Sequence, residues 1–130
     1  MAYEIPLFSI TLPAAADLSA HQYKFVKLNS SGQVAAIAAA TDIPLGVLQD
    51  KPNAAGAAAE VAVIGVTKLQ GDADLVRGNL IGTSADGQAD AKTPGTDTTE
   101  YVVGQVLEDN SAAGGLITAL INCAAPHRAS

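Results

Sequence analysis

Short apolar or alternating runs, separated by turn-forming residues, make up most of this chain. The clearest is EVAVIGV at residues 60–66, in which successive side chains point to opposite faces of a strand. KFVKL at 24–28 is followed by the turn NSSG at 29–32, where Gly can supply a positive φ. Short strands punctuated by Gly and Pro predict an all-β fold, a compact sandwich or barrel.

The chain also contains an internal duplication. Residues 41–56 (TDIPLGVLQDKPNAAG) align without a gap with residues 99–114 (TEYVVGQVLEDNSAAG). The order of the flanking runs is duplicated too, because LITALIN at 116–122 matches the EVAVIGV strand. We therefore predict two pseudo-repeats, at about 17–66 and 72–122. The alanine-rich stretch at 33–40 is compatible with either a strand or a helix.

The two ends of the chain lie outside this duplication. Residues 1–16 form a predicted extended arm, because Pro6 and Pro13 disfavour a helix. An apolar arm either adds a strand to its own domain or docks on another chain by strand addition. Residues 124–130 are expected to be a frayed tail, which leaves 17–123 as a single domain. The arm's large apolar residues are Ile5, Leu7, Phe8, Ile10 and Leu12.

Composition narrows the function. The net charge is −6, and seven Lys and Arg residues are scattered, which argues against nucleic-acid binding. Alanine is abundant, and only two Phe, three Tyr and no Trp are present. Burial of such small side chains within one chain contributes little stability, so we expect an oligomer that buries more apolar surface between subunits. The lone Cys123 cannot form an intramolecular disulfide and is expected to be buried. With no signal sequence and no long apolar run, we expect a soluble protein that does not contact a membrane.

The sequence predicts no enzymatic activity, no cofactor and no metal site. His21 and His127 lack partners at ligand spacing, and Asp72 with Asp74 offers too few oxygens for calcium. Lys68 follows a strand, as the modified lysines of biotinyl and lipoyl carriers do, but it lacks their flanking residues.

The order of these motifs, from the arm through FVKL, IPLGVL, EVAVIGV, VVGQVLED and ITALI, resembles the small capsid decoration, or cement, proteins of tailed bacteriophages. The resemblance runs from about Tyr3 to Asn122. It implies a non-enzymatic β-rich protein, commonly a homotrimer, made in the host cytoplasm and bound to the outer surface of the virion head. There it would bridge major capsid protein subunits. It assigns capsid contact to the arm as a region, through Ile5, Leu7, Phe8, Ile10 and Leu12.

Two other readings stay open. A virion surface or fibre-base module that binds host glycans would offer exposed aromatic platforms, for which the candidates are Tyr3, Phe8, Tyr23, Phe25 and Tyr101. A β-rich lyase or isomerase would need carboxylates that converge in a pocket.

Overall fold

A computed structural model describes residues 5–73, 75–109 and 114–130. The described residues form strands, turns and loops without a helix, so none of them forms an apolar helix that could cross a bilayer. The prediction of an all-β fold is confirmed. The strands are β1 (Ile5–Pro13), β2 (Phe25–Leu28), β3 (Val34–Ala36), β4 (Gly46–Leu48), β5 (Ala58–Gln70), β6 (Leu80–Thr83), β7 (Ala89–Ala91), β8 (Tyr101–Val102), β9 (Gly104–Glu108), β10 (Leu116–Asn122) and β11 (His127–Arg128).

The ambiguous stretch at 33–40 is a strand only at its start. β3 ends at Ala36, and the chain then turns because one carboxylate oxygen of Asp42 accepts hydrogen bonds from the amides of Ala38 and Ala39. Such side-chain bonds offer the backbone an alternative to both helix and ladder. The turn therefore prevents the alanine run from continuing in either form.

The main sheet has the order β3-β2-β4-β5-β10-β9-β6-β7, and β1 pairs with β5 outside this path. The two halves of this order correspond strand by strand. Phe25 and Val26 pair with Val47 and Gly46, and the matching residues Leu80 and Ile81 pair with Gln105 and Gly104. Likewise β4 pairs with β5 as β9 pairs with β10. The first unit thus contains β1 to β4 and the first half of β5, and the second unit contains the second half of β5 with β6, β7, β9 and β10.

The N-terminal arm lies inside this repeated arrangement, which the sequence did not indicate. It forms β1, an antiparallel partner of the first half of β5. Leu12 pairs with Ala59 in the first unit, just as Leu69 pairs with Ile117 in the second. The structural counterpart of β1 is therefore the second half of β5. Of the two expected fates of the arm, the structure shows the added strand, and residues 1–4 lie outside the described part of the chain.

β5 belongs to both units, and it changes surroundings near Gly65. Gly65 has a φ of 137°, a backbone conformation that residues other than glycine rarely adopt. The pairing with β1 is irregular at this level, with register shifts on both sides of Phe8. Bulges bend a strand and turn its side chains to another face. Consequently Ala62 and Val63, although adjacent, both belong to the larger core.

Two buried clusters result. The smaller lies within the first unit and contains Ala14, Leu18, Val26, Val34, Leu48, Ala59 and Val61. The larger contains their counterparts in the second unit, among them Leu75, Ile81, Ala89, Val106, Ile117 and Ala119. It also contains Phe25, Val47 and Ala62, which lie in one cross-strand row of the first unit. The second unit therefore packs on one face of the first.

The C-terminal residues are also ordered, against the expectation of a frayed tail. β11 pairs with β8, and the Ala129 amide donates a hydrogen bond to the Glu100 carbonyl at 2.9 Å. The Gly95 amide in turn donates to the Ala129 carbonyl at 2.8 Å. The tail thus holds the polar 91–100 loop against the domain.

Gly46 and Gly104 occupy equivalent strand positions, where a side chain would not fit. A Cβ at Gly46 would overlap the carbonyl oxygen of Ala62, and a Cβ at Gly104 would overlap that of Leu120. We expect Gly46→Ala and Gly104→Ala each to lower the free energy of unfolding by about 3 kcal/mol, because the strands must move apart. Urea unfolding followed by far-ultraviolet circular dichroism measures this.

Gly32→Ala is the control. Nothing lies within 4 Å of its added Cβ, and only its φ of 77° is unfavourable, so a loss of about 1 kcal/mol is expected. Equal losses in all three variants would contradict the proposed strand overlap.

Candidate interaction surface

β1 divides into a buried and an exposed part. Ile10 and Leu12 are half-buried against the core. Ile5, Leu7 and Phe8 are exposed by 55%, 76% and 51%. The five arm residues that the sequence grouped are therefore not equivalent, and the first three are the most accessible to another molecule.

The edge of β1 is open. Within the described residues its strand pairing is with β5 alone, and residues 5–13 carry no charged side chain. Proteins usually protect such an edge with charges, because unpaired backbone groups and apolar side chains otherwise recruit another strand. Pro6 and the irregular pairing around Leu7 interrupt the ladder, but Leu7 and Phe8 stay accessible. This edge has the properties of a contact surface.

A second apolar feature lies on the same face as Ile5. Ile5 pairs with Val66, which pairs with Leu120, and Leu120 and Leu80 both pair with Gln105. Leu80 and Leu120 are exposed by 39% and 45%. Beside them is an open groove of about 480 Å³, lined by residues that include Ile64, Leu80, Val102, Leu120, Ala125 and His127. The sequence search missed this groove because its residues come from five separate segments.

Charged residues elsewhere are arranged for structure. The Lys92 side chain is completely buried, and its Nζ lies 2.9 Å from Asp90 Oδ2 and contacts Glu100 Oε1. Burial alone would lower the pKa of Lys92, but the bonds to Glu100 and Asp90 outweigh it and raise that pKa. A Cβ at Gly82 would overlap the carbonyl oxygen of Tyr101 and would lie 3.0 Å from Lys92 Cε, so Gly82 permits the close approach of the Tyr101 backbone beside the lysine stem.

The first unit also contains a lysine paired with a carboxylate. Lys27, at the position equivalent to Gly82, has its Nζ 3.1 Å from Asp42 Oδ2, and Asp42 corresponds to Glu100. Burial would raise the pKa of Asp42, but hydrogen bonds from the Ala38 amide, Lys27 and the Ala39 amide hold it below its usual value. Each unit therefore pairs one lysine with the acid that precedes its fourth strand.

The other candidates from the sequence do not converge. Burial, followed by the charge of Lys24, lowers the pKa of His21, and burial with the nearby Asp90 and Asp86 raises that of Asp72. Lys68 lies within β5, paired with Thr118, and its Nζ is 5.6 Å from the centre of the Tyr23 ring. Asp74 lies outside the described residues. Within the described ranges, no three His, Cys, Asp or Glu side chains are grouped to hold a metal ion.

The described residues form an all-β domain in which the β1 edge is open and uncharged and an apolar groove lies beside Leu80 and Leu120. It is similar in fold to a solved structure, the head fiber gp8.5 N base of bacteriophage phi29, with a TM-score of 0.64 and 21% identity. The match covers 89% of this chain and 94% of that chain. At this identity the likeness establishes the fold. No family model and no curated protein matches the sequence.

The ion pairs of Lys92 should contribute to the free energy of unfolding. Lys92→Met leaves two carboxylates without their cation, and we expect the free energy of unfolding to fall by about 3 kcal/mol. Lys27→Met, at the more exposed pair, should cost less than about 1 kcal/mol. Because the pKa of Lys92 is raised, its contribution should persist through neutral pH and disappear only as pH rises past the ordinary lysine range. Denaturant unfolding at neutral and alkaline pH tests both points, and equal losses at neutral pH would contradict them.

Cys123 should be inert in the folded protein. Burial raises the pKa of its thiol to about 12, so almost no thiolate forms at neutral pH. We expect no reaction with a chromogenic disulfide reagent under native conditions and one equivalent of reaction in denaturant. Rapid labelling of the native protein would show that the C-terminal segment opens.

Proposed function

We propose that this protein is a structural component of a tailed-bacteriophage virion, a decoration or cement protein on the outer surface of the head. It would bridge neighbouring major capsid protein subunits and so stabilise the shell. The observation that carries the proposal is the open β1 edge with exposed Ile5, Leu7 and Phe8. Its support is the order of sequence motifs and a fold shared over nearly the whole length with a head fiber base.

Attachment to a capsid would rest on many weak contacts. A strand edge offers backbone hydrogen bonds, and its exposed apolar side chains supply affinity at a small site. A shell presents many copies of the same acceptor, so an oligomer with several such edges binds far more tightly than one edge alone. We therefore propose a homo-oligomer, a trimer by its resemblance to cement proteins, with the major capsid protein as its partner.

DNA binding and catalysis are not part of the proposed function. A net charge of −6 is unsuited to the packaged DNA. We propose no enzymatic activity and no cofactor, since the perturbed side chains Lys92, Asp42 and Cys123 serve pairing and packing. Outer placement on the head, after synthesis in the host cytoplasm, follows from the proposed partner.

The glycan alternative receives less support. Phe25 is buried, Tyr23 and Tyr101 are half-buried, and Tyr3 lies outside the described residues. Phe8 is thus the one exposed aromatic side chain in the described ranges, and it lies on the apolar strand edge. A fibre-base position on the head remains compatible with the proposal, because a base also attaches to the capsid.

Capsid binding by edge variants tests the proposal. Leu7→Asp and Phe8→Asp place a charge on the edge without removing β1, which a deletion of residues 2–12 would do. We expect each to weaken binding to expanded heads of the cognate phage at least tenfold in a co-sedimentation assay, and we expect no binding of the wild type to unexpanded proheads. Ile43→Asp, at a residue 52% exposed in a loop, is the matched control and should bind normally.

Unchanged binding of both edge variants would overturn the role of β1. Failure of the wild-type protein to bind heads, together with a signal on a glycan array, would favour the glycan-binding module instead.

A further inference from the structure

The contact between the two units is one-sided. In the first unit, the row Phe25, Val47 and Ala62 is 1%, 0% and 3% exposed respectively, because the second unit covers it. The equivalent row of the second unit consists of Leu80, Gln105 and Leu120, all of which are exposed. A two-fold contact would bury both rows equally. The internal contact is therefore of the head-to-tail kind, which leaves one free surface at each end.

The covering surface is also visible. The turn at Gly87 lies on the first unit, where the Phe25 amide donates a hydrogen bond to the Gly87 carbonyl at 2.7 Å. Thr83, at the end of the adjoining strand, is 1% exposed. The equivalent turn of the first unit, at Gly32, has nothing within 4 Å of an added Cβ, and the counterpart of Thr83 is Leu28, which is 51% exposed. The first unit thus carries an uncovered copy of the surface that the second unit uses.

We propose that copies of this chain associate head to tail by repeating the internal contact. The Gly32 turn and Leu28 of one copy cover the row Leu80, Gln105 and Leu120 of the next. The occupant is a second copy because this chain already contains the matching surface, folded and free. The internal hydrogen bond predicts its intermolecular equivalent, from the Leu80 amide to the Gly32 carbonyl of the neighbouring copy.

Chemistry at the two surfaces agrees with this pairing. The row Leu80, Gln105 and Leu120 carries no charge, and neither do residues 28–34 around the turn. Repulsion between two copies, each with a net charge of −6, is therefore kept away from the contact. In the free row, Gln105 occupies the position equivalent to Val47, and Leu120 occupies the position equivalent to Ala62. The free row is therefore partly polar and has larger side chains, which suits a contact that can separate.

Such an arrangement closes into a ring if the rotation between copies divides a full turn, and otherwise continues as a filament. The inference rests on the homo-oligomer of the proposed function and deepens it by naming the contact between copies, which forms in solution and does not require a capsid. It also differs from the β1 edge, so the capsid-binding variants Leu7→Asp and Phe8→Asp should leave the association between copies unchanged.

Two complementary variants test the polarity. We expect the wild type to sediment as an oligomer, and Leu28→Asp or Leu120→Asp alone to sediment as a monomer. An equimolar mixture of the two variants retains one intact turn and one intact row, so it should form a dimer and nothing larger. Ile43→Asp should associate as the wild type does. Circular dichroism and the unfolding midpoint establish that each variant is folded.

Cross-linking provides a second measurement with milder changes. Gly32→Cys in one chain and Leu80→Cys in another should form a disulfide-linked dimer on mixing under oxidation, and neither variant should cross-link with itself. A monomeric wild type, an unchanged oligomer in folded Leu120→Asp, or a mixture that stays monomeric without cross-linking would each overturn the proposal.

Discussion

The pairing of β5 on both of its edges is the constraint on which the rest of the structure depends. Its 13 residues carry β4 and β1 along the first half and β10 along the second. Because ladder hydrogen bonds fix register, this single strand places both units relative to each other. The positive φ of Gly65 lets the strand pass from an inner position in one five-stranded group, between β4 and β1, to the edge of the next. Both cores, the open β1 edge and the free row around Leu120 follow from that passage.

Duplication with one shared strand has an asymmetric result. Two units with the same pairing and equivalent cores end up in different surroundings, since only the first is followed by another unit. Ala62 is buried in the first unit, whereas the equivalent residue of the second unit, Leu120, is exposed. A small side chain suits the internal contact, whereas a larger one covers an otherwise exposed sheet. The proposed association between copies would place the second unit in the surroundings that the first already has.

Both units retain a lysine–carboxylate ion pair, although the lysine comes from a different position in each unit. Each unit has one lysine beside the acid that precedes its fourth strand, but Lys27 reaches Asp42 from within β2, whereas Lys92 reaches Glu100 from just after β7. The buried lysine needs two carboxylates, because desolvation of a lone ammonium is costly. Gly82 lies beside its stem and lets the backbone of Tyr101, the neighbour of Glu100, approach closely. Ion pairs of this kind stabilise the fold, which is consistent with the structural role proposed above.

The sequence by itself determined the all-β class, the main strands and turns, and the duplication, because alternation and turn residues are local properties. β10 has the bounds that were predicted, and the turn at 29–32 forms where Gly32 allows it. Only the tertiary structure decided the place of the arm, whose counterpart in β5 has no sequence similarity to it. It also decided the burial of Lys92 and the ordering of the tail through Ala129. Pairing in a sheet depends on backbone groups that every residue carries, so distant partners leave little trace in side-chain pattern.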